Sequence, residues 1–171
     1  MFIAANWKMN LDKSCIEEFC NIINSYEFND NIKTCIFPSS VYISHLKKLV
    51  EKLPISLGGQ NCHYETKGAF TGEISSSSLK DIGCEFVIIG HSERRNNNNE
   101  SNSFIKKCIT SAVNSNLTPI VCVGEIMKDR NNGTALDFIL KQINESIPDF
   151  FNDIIIAYEP IWSIGTGEIP S

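Results

Sequence analysis

Several signals that identify common protein classes are missing from this sequence. The seven cysteines include no Cys-x-x-Cys pair and are odd in number, which argues against a structural zinc site and a disulfide framework. No window approaches the roughly 18 consecutive apolar residues of a membrane span, and no basic region precedes a long apolar segment at the start. There is no H-x-x-x-H motif or carboxylate cluster to hold a metal. We therefore expect reduced thiols, no metal, no membrane association and a cytoplasmic protein.

Clustered basic residues are missing as well. The formal net charge is −5 and the pI is near 5.2, which argues against a nucleic-acid partner, because phosphate contacts need clustered Lys and Arg. Hydrophobic residues make up 42% of the 171 residues, a globular composition that can bury a sizeable core. No linker or repeat divides the chain, so we expect residues 1–171 to form a single domain.

The sequence does contain a regular alternation of short apolar runs and longer amphipathic ones. The short runs are apolar on nearly every residue, as strands buried on both faces are. They cover residues 2–6, 34–37, 55–59, 85–89, 119–123 and 154–158. Helices are predicted between them at residues 13–25, 40–52, 76–82, 101–116 and 134–147. Ser39 or Ser40, and Thr134, are candidate helix caps, whereas the Asn96 to Asn99 run favours a loop or a helix entry.

This β-α alternation indicates a parallel sheet with right-handed crossovers. Two architectures compete at this point, an open doubly wound sheet and a (β/α)8 barrel, and in both the chemistry lies at the carboxyl ends of the strands. Lys8 follows the first strand, His91 the fourth and Glu159 the sixth. Each alone has an ordinary explanation: a solvated lysine, a structural histidine, or a carboxylate that ends a strand. Together at one edge of a sheet they indicate a shared site.

The three residue types suit one reaction. A carboxylate can abstract a proton, an imidazole can polarise a carbonyl, and an ammonium can neutralise an anion, which together suit proton transfer next to a carbonyl through an enediolate. Gly165, Thr166 and Gly167 follow Glu159 without the spacing of a dinucleotide motif. They fit a mobile loop whose backbone N–H groups close over an anion.

Five segments in order along the chain resemble triosephosphate isomerase. They are ANWKMN (5–10), GAFTGE (68–73), GHSERR (90–95), VCVGE (121–125), and AYEPIW (157–162) with IGTG (164–167). The resemblance implies a (β/α)8 barrel that interconverts dihydroxyacetone phosphate and glyceraldehyde 3-phosphate without a cofactor, in glycolysis and gluconeogenesis. This family is a standard example of pKa tuning and lid closure, so the resemblance implies both features for this chain.

The resemblance also implies a role for each matching residue. Glu159 would be the base, neutral His91 would donate a hydrogen bond to the developing oxyanion, and Lys8 would offset the charge of phosphate and enediolate. Asn6 would orient the substrate oxygen and the backbone N–H of Gly165 would bind phosphate. The expected supporting residues beside the site are Glu93, Ser92 and Cys122. The expected lid is Pro160, Ile161, Trp162, Ser163, Ile164, Gly165, Thr166 and Gly167.

The GAFTGE segment implies a homodimer. The family's third loop enters the neighbouring subunit, so the loop at Thr71, Gly72 and Glu73 would carry the contact. Thr71 would reach the Asn6 and Lys8 region of the partner subunit, and Glu73 would pair with the partner subunit's Arg94. The alternative is a flexible surface excursion, although a loop of this length usually has a function.

One departure from the family is its length, since such barrels usually need about 250 residues. The chain should therefore form an incomplete barrel of about six strands and five helices that lacks the last two βα units. We expect bare edges at the first and sixth strands, an open apolar interior, marginal solubility and weak or no activity. The alternatives are a truncated non-catalytic relic, a split-gene subunit that needs a complementing fragment, and another barrel enzyme acting on sugar phosphates.

Overall fold

The structure is a computed structural model that describes residues 1–149 and 153–164. Six strands alternate with helices along the chain. The strands are β1 (Phe2–Asn6), β2 (Lys33–Phe37), β3 (Ile55–Gly59), β4 (Phe86–Ile89), β5 (Thr118–Val123) and β6 (Ile155–Tyr158). The helices are α1 (Lys13–Ile23), α2 (Ile43–Leu49), α3 (Ser76–Asp81), α4 (Ser92–Asn97), α5 (Asn102–Asn114), α6 (Met127–Asn131) and α7 (Ala135–Ser146). Two 3₁₀ turns, Ser40–Tyr42 and Ile161–Ser163, complete the described elements.

The strands form one sheet in the order β1-β2-β3-β4-β5-β6, and every neighbouring pair is parallel. Neighbours in space are therefore neighbours in sequence, with no reversal of strand order. A doubly wound sheet has such a reversal, so the order identifies a section of an α/β barrel and confirms the predicted incomplete barrel. Within the described residues β1 and β6 each pair on one side only.

Side chains on the two faces of the sheet form separate apolar clusters. One cluster lies between the strands and the helices and includes Ile36, Val87 and Val121. The other lines the concave face, where Phe37 and Ile88 are buried. This alternation follows from the strand period, because successive side chains point to opposite faces.

The sheet curls enough to bury most of the interior that we expected to be open. Phe2 of β1 packs against Phe86 of β4, three strands away, with ring centroids 5.0 Å apart. The members of the inner cluster from β2, β4 and β5 are 5% exposed or less. The edge strands remain partly exposed: Ile3 is 45% and Tyr158 is 48% exposed on their outer faces, and Ala4 of β1 is exposed as well. No helix among the described residues combines the length and apolarity that a bilayer crossing requires.

All five predicted helices are present, and two short helices were not predicted. Helix α4 begins directly after His91, whose ring accepts a hydrogen bond from the Glu93 backbone N–H as the helix cap. Helix α6 is five residues of mostly polar sequence and has no apolar periodicity to detect. The predicted cap residues Thr134 and Ser39 occupy the N-cap positions of α7 and of the turn Ser40–Tyr42, but neither side chain makes a cap hydrogen bond. Thr134 donates its hydroxyl backward to the Asp129 carbonyl, and Ser39 donates to the Lys8 carbonyl.

Candidate active site

The carboxyl ends of the strands bring the predicted site residues together. Lys8 follows β1, His91 follows β4 and Glu159 follows β6. A cleft of about 220 Å³ opens at this edge, and Lys8 and His91 line it. The other lining residues are Asn6, Met9, Gln60, Asn61, Glu93, Arg94, Asn97 and Asn98. Glu159 is not among the residues that line the cleft, and its carboxylate lies behind them against His91.

The carboxylate of Glu159 is held by two neighbouring groups. His91 Nε2 lies 3.0 Å from Glu159 Oε1, and the backbone N–H of Ser92 donates to Oε2 at 3.1 Å. On the other side of the imidazole, Nδ1 accepts from the Glu93 backbone N–H at 3.2 Å. A ring nitrogen that accepts cannot carry the proton of a neutral imidazole. The hydrogen-bond network therefore assigns the proton to Nε2, which faces Glu159 and the cleft.

Glu159 is also fixed through its backbone. Its N–H donates to the Val123 carbonyl at 2.8 Å, which joins it to the end of β5. Gly124 leaves no space for a side chain, since a Cβ there would lie 1.7 Å from the Glu159 carbonyl oxygen. Burial raises the pKa of the Cys122 thiol, and the nearby Glu159 carboxylate raises it further. Cys122 is therefore a neutral thiol beside the Glu159 carboxylate.

Lys8 adopts a backbone conformation that non-glycine residues rarely take, with φ at 52°. Three side chains hold it there. The Asn6 side-chain oxygen accepts from the Lys8 N–H at 2.9 Å, while Gln60 and Ser39 donate to the Lys8 carbonyl at 2.8 and 3.1 Å. Such conformations cost free energy and persist where surrounding contacts over-determine them. This turn directs the ammonium across the cleft.

The ammonium of Lys8 pairs with Glu93 at 2.6 Å. This hydrogen bond lowers the pKa of the Glu93 carboxyl, against a smaller opposing effect of burial. Both side chains are partly exposed, so the pair orients Lys8 more than it stabilises the fold. The structure thus places Glu93 beside Lys8.

The first part of the predicted lid, Pro160 to Ile164, is described, whereas Gly165, Thr166 and Gly167 lie outside the described residues. Trp162 is buried and donates its indole N–H to Glu125 Oε1 at 2.8 Å, and the Tyr158 hydroxyl donates to the same oxygen at 3.0 Å. Arg130 covers the Trp162 ring at 4.3 Å. Glu125 therefore joins the segment that contains Trp162 to the end of β5.

The loop that carries Thr71, Gly72 and Glu73 projects into solvent. Its base is closed by a hydrogen bond from the His63 N–H to the Ile74 carbonyl at 2.8 Å, and its tip by one from the Glu73 N–H to the Phe70 carbonyl at 3.0 Å. The predicted intersubunit residue Arg94 binds Glu100 of its own chain through Nε at 2.7 Å.

Three supporting residues were not predicted. Gln60 directly follows β3, so its position at the carboxyl end of a strand was a signal that could have identified it. Glu125 lies in a segment that had been matched to the family, but no partner could be assigned to it from sequence. Arg95 binds mainly backbone carbonyls, as described below, and composition gives no signal for such contacts.

Comparison with known proteins gives a consistent result over the whole chain. The family model described as triosephosphate isomerase matches residues 1–171. The chain is 40% identical to the triosephosphate isomerase of Hydrogenovibrio crunogenus over 177 aligned positions, covering 100% of this chain and 70% of that protein. It is 45% identical to the one from Dictyoglomus thermophilum, covering 96% of this chain and 68% of that protein.

A solved structure agrees with the sequence matches. The crystal structure of triosephosphate isomerase from Bartonella henselae superposes with a TM-score of 0.86 and 37% sequence identity, covering 94% of this chain and 67% of that one. The two proteins are therefore similar in amino-acid sequence as well as in fold.

Proposed function

The chain belongs to the triosephosphate isomerase family, and from this premise we propose how its residues carry the reaction. The reaction is the interconversion of dihydroxyacetone phosphate and glyceraldehyde 3-phosphate, an intramolecular aldose–ketose isomerisation. In our proposal Glu159 is the base, His91 the hydrogen-bond donor to the carbonyl oxygen, and Lys8 the cation that balances the anionic substrate. The observation that carries these assignments is the 3.0 Å contact between His91 Nε2 and Glu159 at the strand ends.

The proposed step is a proton transfer. Glu159 takes a proton from the substrate carbon next to the carbonyl, and the electron pair moves toward the carbonyl oxygen to form the enediolate. His91 Nε2–H donates to that oxygen, and Lys8 stabilises the added negative charge. The hydroxyl proton of the substrate then moves to the former carbonyl oxygen, so that the negative charge passes to the other oxygen. Glu159 returns its proton to the former carbonyl carbon, and the new carbonyl forms on the carbon that was first deprotonated. Because its oxygens are engaged by His91 and Ser92, the carboxylate must turn into the cleft when substrate binds.

The remaining expectations extend this proposal to the supporting residues. Asn6 acts by holding the Lys8 N–H, and it faces the same cleft as the ammonium. Glu93 orients Lys8, and Cys122 packs neutral beside the base. We assign phosphate binding to the Gly165 N–H and closure to the segment from Pro160 to Gly167. No cofactor enters this scheme.

We further propose a homodimer formed through the loop at Thr71, Gly72 and Glu73. Its hydrogen-bonded base and exposed tip support a contact role over a flexible excursion. Arg94 uses only Nε toward Glu100 in the described hydrogen bonds, so its terminal N–H groups can donate to the Glu73 carboxylate of the partner subunit. Unbroken strand order supports treating residues 1–171 as one domain. Free, mostly buried cysteines support a reducing compartment, the cytoplasm.

The test is a coupled isomerase assay on the purified chain and two matched variants. Glu159→Gln removes the base while keeping size and shape, and we expect kcat to fall by at least about 10³-fold. Glu51→Gln makes the same chemical change at an exposed position away from the site and should leave kcat within about twofold of the parent chain. Equal activities of the two variants would exclude Glu159 as the base.

A further inference from the structure

The half-buried side chain of Arg95 joins two strands at the edge of the active site. Its Nε donates to the Gly90 carbonyl at 2.7 Å, and its Nη2 donates to the Cys122 carbonyl at 3.1 Å. Gly90 immediately precedes His91, and Cys122 lies in β5 one residue before Val123, whose carbonyl receives the Glu159 N–H. One acceptor is thus adjacent in the chain to His91, the proposed electrophile. The other is adjacent to the residue that binds the backbone of Glu159, the proposed base.

Arg95 acts where the backbone ladder stops. The pairing of β4 with β5 runs from Phe86 opposite Thr118 to Ile89 opposite Val121. The next pair in that register would be Gly90 and Cys122, whose carbonyls are instead bridged by the guanidinium. A planar guanidinium can hold two such acceptors in a fixed geometry, which a single ammonium cannot do.

The other side of the guanidinium is anchored outside the sheet. Nη1 donates to the Asn102 side-chain oxygen at 2.7 Å, and Ser146 of α7 donates to the same oxygen at 3.1 Å. The Asn102 amide also donates to Glu145 at 2.8 Å. A Cβ at Gly90 would lie 3.0 Å from Arg95 Nη2, so the glycine lets the guanidinium approach the strand end. The guanidinium of Arg95 is thus bound on one side by the two strand carbonyls and on the other by the Asn102 side chain.

We propose that Arg95 is a positioning residue for the isomerase reaction: by bridging Gly90 and Cys122 it sets the spacing of the β4 and β5 ends and so the placement of His91 against Glu159. The proposal rests on the catalytic roles proposed above for those two residues. Arg95 does not line the substrate cleft, so it acts through the residues it holds.

The test replaces the guanidinium in two steps in the purified full chain. Arg95→Met removes both strand contacts, and we expect kcat to fall about 100-fold with KM changed less than about threefold, because misplacement of reacting groups acts on the chemical step. Arg95→Lys keeps the charge and one contact, and kcat should recover to about tenfold below the parent chain. Nitrogen-15 NMR of histidine should show the His91 Nε2–H signal, strong in the parent chain, weakened or shifted in both variants.

Ser76→Ala is the matched control for stability. Ser76 is fully buried, its hydroxyl bonds to Ser111 and Ser115, and it lies in α3 away from the site. It should lower the melting temperature while keeping kcat within about twofold. The proposal is overturned if Arg95→Met keeps kcat within threefold of the parent chain, or if Ser76→Ala loses kcat in proportion to its loss of stability.

The NMR measurement separates this inference from the proposed function. If the parent chain does not isomerise triose phosphates, the kinetic comparison is lost, and the His91 signal alone then decides whether Arg95 positions the imidazole. An unchanged signal in Arg95→Lys and Arg95→Met refutes the positioning role, and a shifted signal supports it. If Arg95→Met does not fold, Arg95→Lys carries both readouts.

Discussion

Gln60 provides the sharpest test of how the backbone at Lys8 is held. Its side-chain amide donates to the Lys8 carbonyl at 2.8 Å and to the Phe37 carbonyl at 2.9 Å. Gln60→Ala removes both hydrogen bonds, each contributing about 1 kcal/mol net. The left-handed backbone of Lys8 itself costs a non-glycine residue about 1–2 kcal/mol. The free energy lost with these hydrogen bonds is therefore similar to the free-energy cost of the left-handed Lys8 backbone.

The expected effect on catalysis follows from that comparison. Only one of the two hydrogen bonds is made to Lys8, and its loss of about 1 kcal/mol corresponds to a shift of about fivefold away from the observed Lys8 conformation. Counting both bonds sets an upper limit of about 30-fold. Asn6 and Ser39 still hold Lys8 in the variant, so we expect kcat/KM to fall about fivefold. A coupled assay that follows NADH consumption, with melting temperatures measured in parallel, gives the result.

Graded variants make this prediction refutable. Ser39→Ala removes a single, longer hydrogen bond of 3.1 Å to the same carbonyl and should lower kcat/KM only about threefold. The order of effects, Gln60→Ala larger than Ser39→Ala, is the critical outcome. Less than a twofold loss in Gln60→Ala, with the fold intact, would show that Lys8 keeps its conformation without this support.

Three further predictions concern other parts of the molecule. Gly124→Ala places a Cβ against the Glu159 carbonyl and should lower kcat at least about 100-fold, measurable by steady-state kinetics. Burial acts to raise the pKa of the Glu125 carboxyl, but hydrogen bonds, including the one from Trp162, lower it overall. The ionised carboxylate therefore stabilises the fold fully above about pH 4.3, the pKa of an unfolded Glu. This stabilisation is lost as the pH falls through the lowered pKa of the folded state. Glu125→Gln should thus unfold at lower temperature than the parent at pH 7, with a smaller difference in acid, by thermal scans. A thiol reagent should label only Cys15 rapidly in the folded chain, and faster labelling of a buried thiol would contradict the described packing.

Sequence patterns located the strands because each is apolar on most of its residues, and both faces of the inner strands are covered. Predicted and observed strand bounds differ by no more than one residue, for example at β2, which begins at Lys33 rather than Thr34. Short polar helices gave no such signal. Helix α4 depends on the His91 ring as its cap, and this contact is visible only once the fold is known.

The candidate site was predictable to the extent that it depends on strand ends. A parallel sheet brings all its carboxyl ends to one edge, so Lys8, His91 and Glu159 could be grouped before any distance was known. Backbone acceptors could not be predicted in this way. Arg95 binds the carbonyls of Gly90 and Cys122, and a carbonyl is present at every position in the chain.

The contact between Phe2 and Phe86 has a consequence for the order of folding. The two rings are far apart in sequence, and the chain between them must form β2 and β3 before the concave face can close. Closing so long a loop carries an entropic cost that local helix contacts do not. As the chain leaves the ribosome, Phe2 therefore cannot make its contact with Phe86 until β4 has emerged. The curvature of the sheet, and with it the alignment of the strand ends, should be a late event that depends on β4 more than on β1.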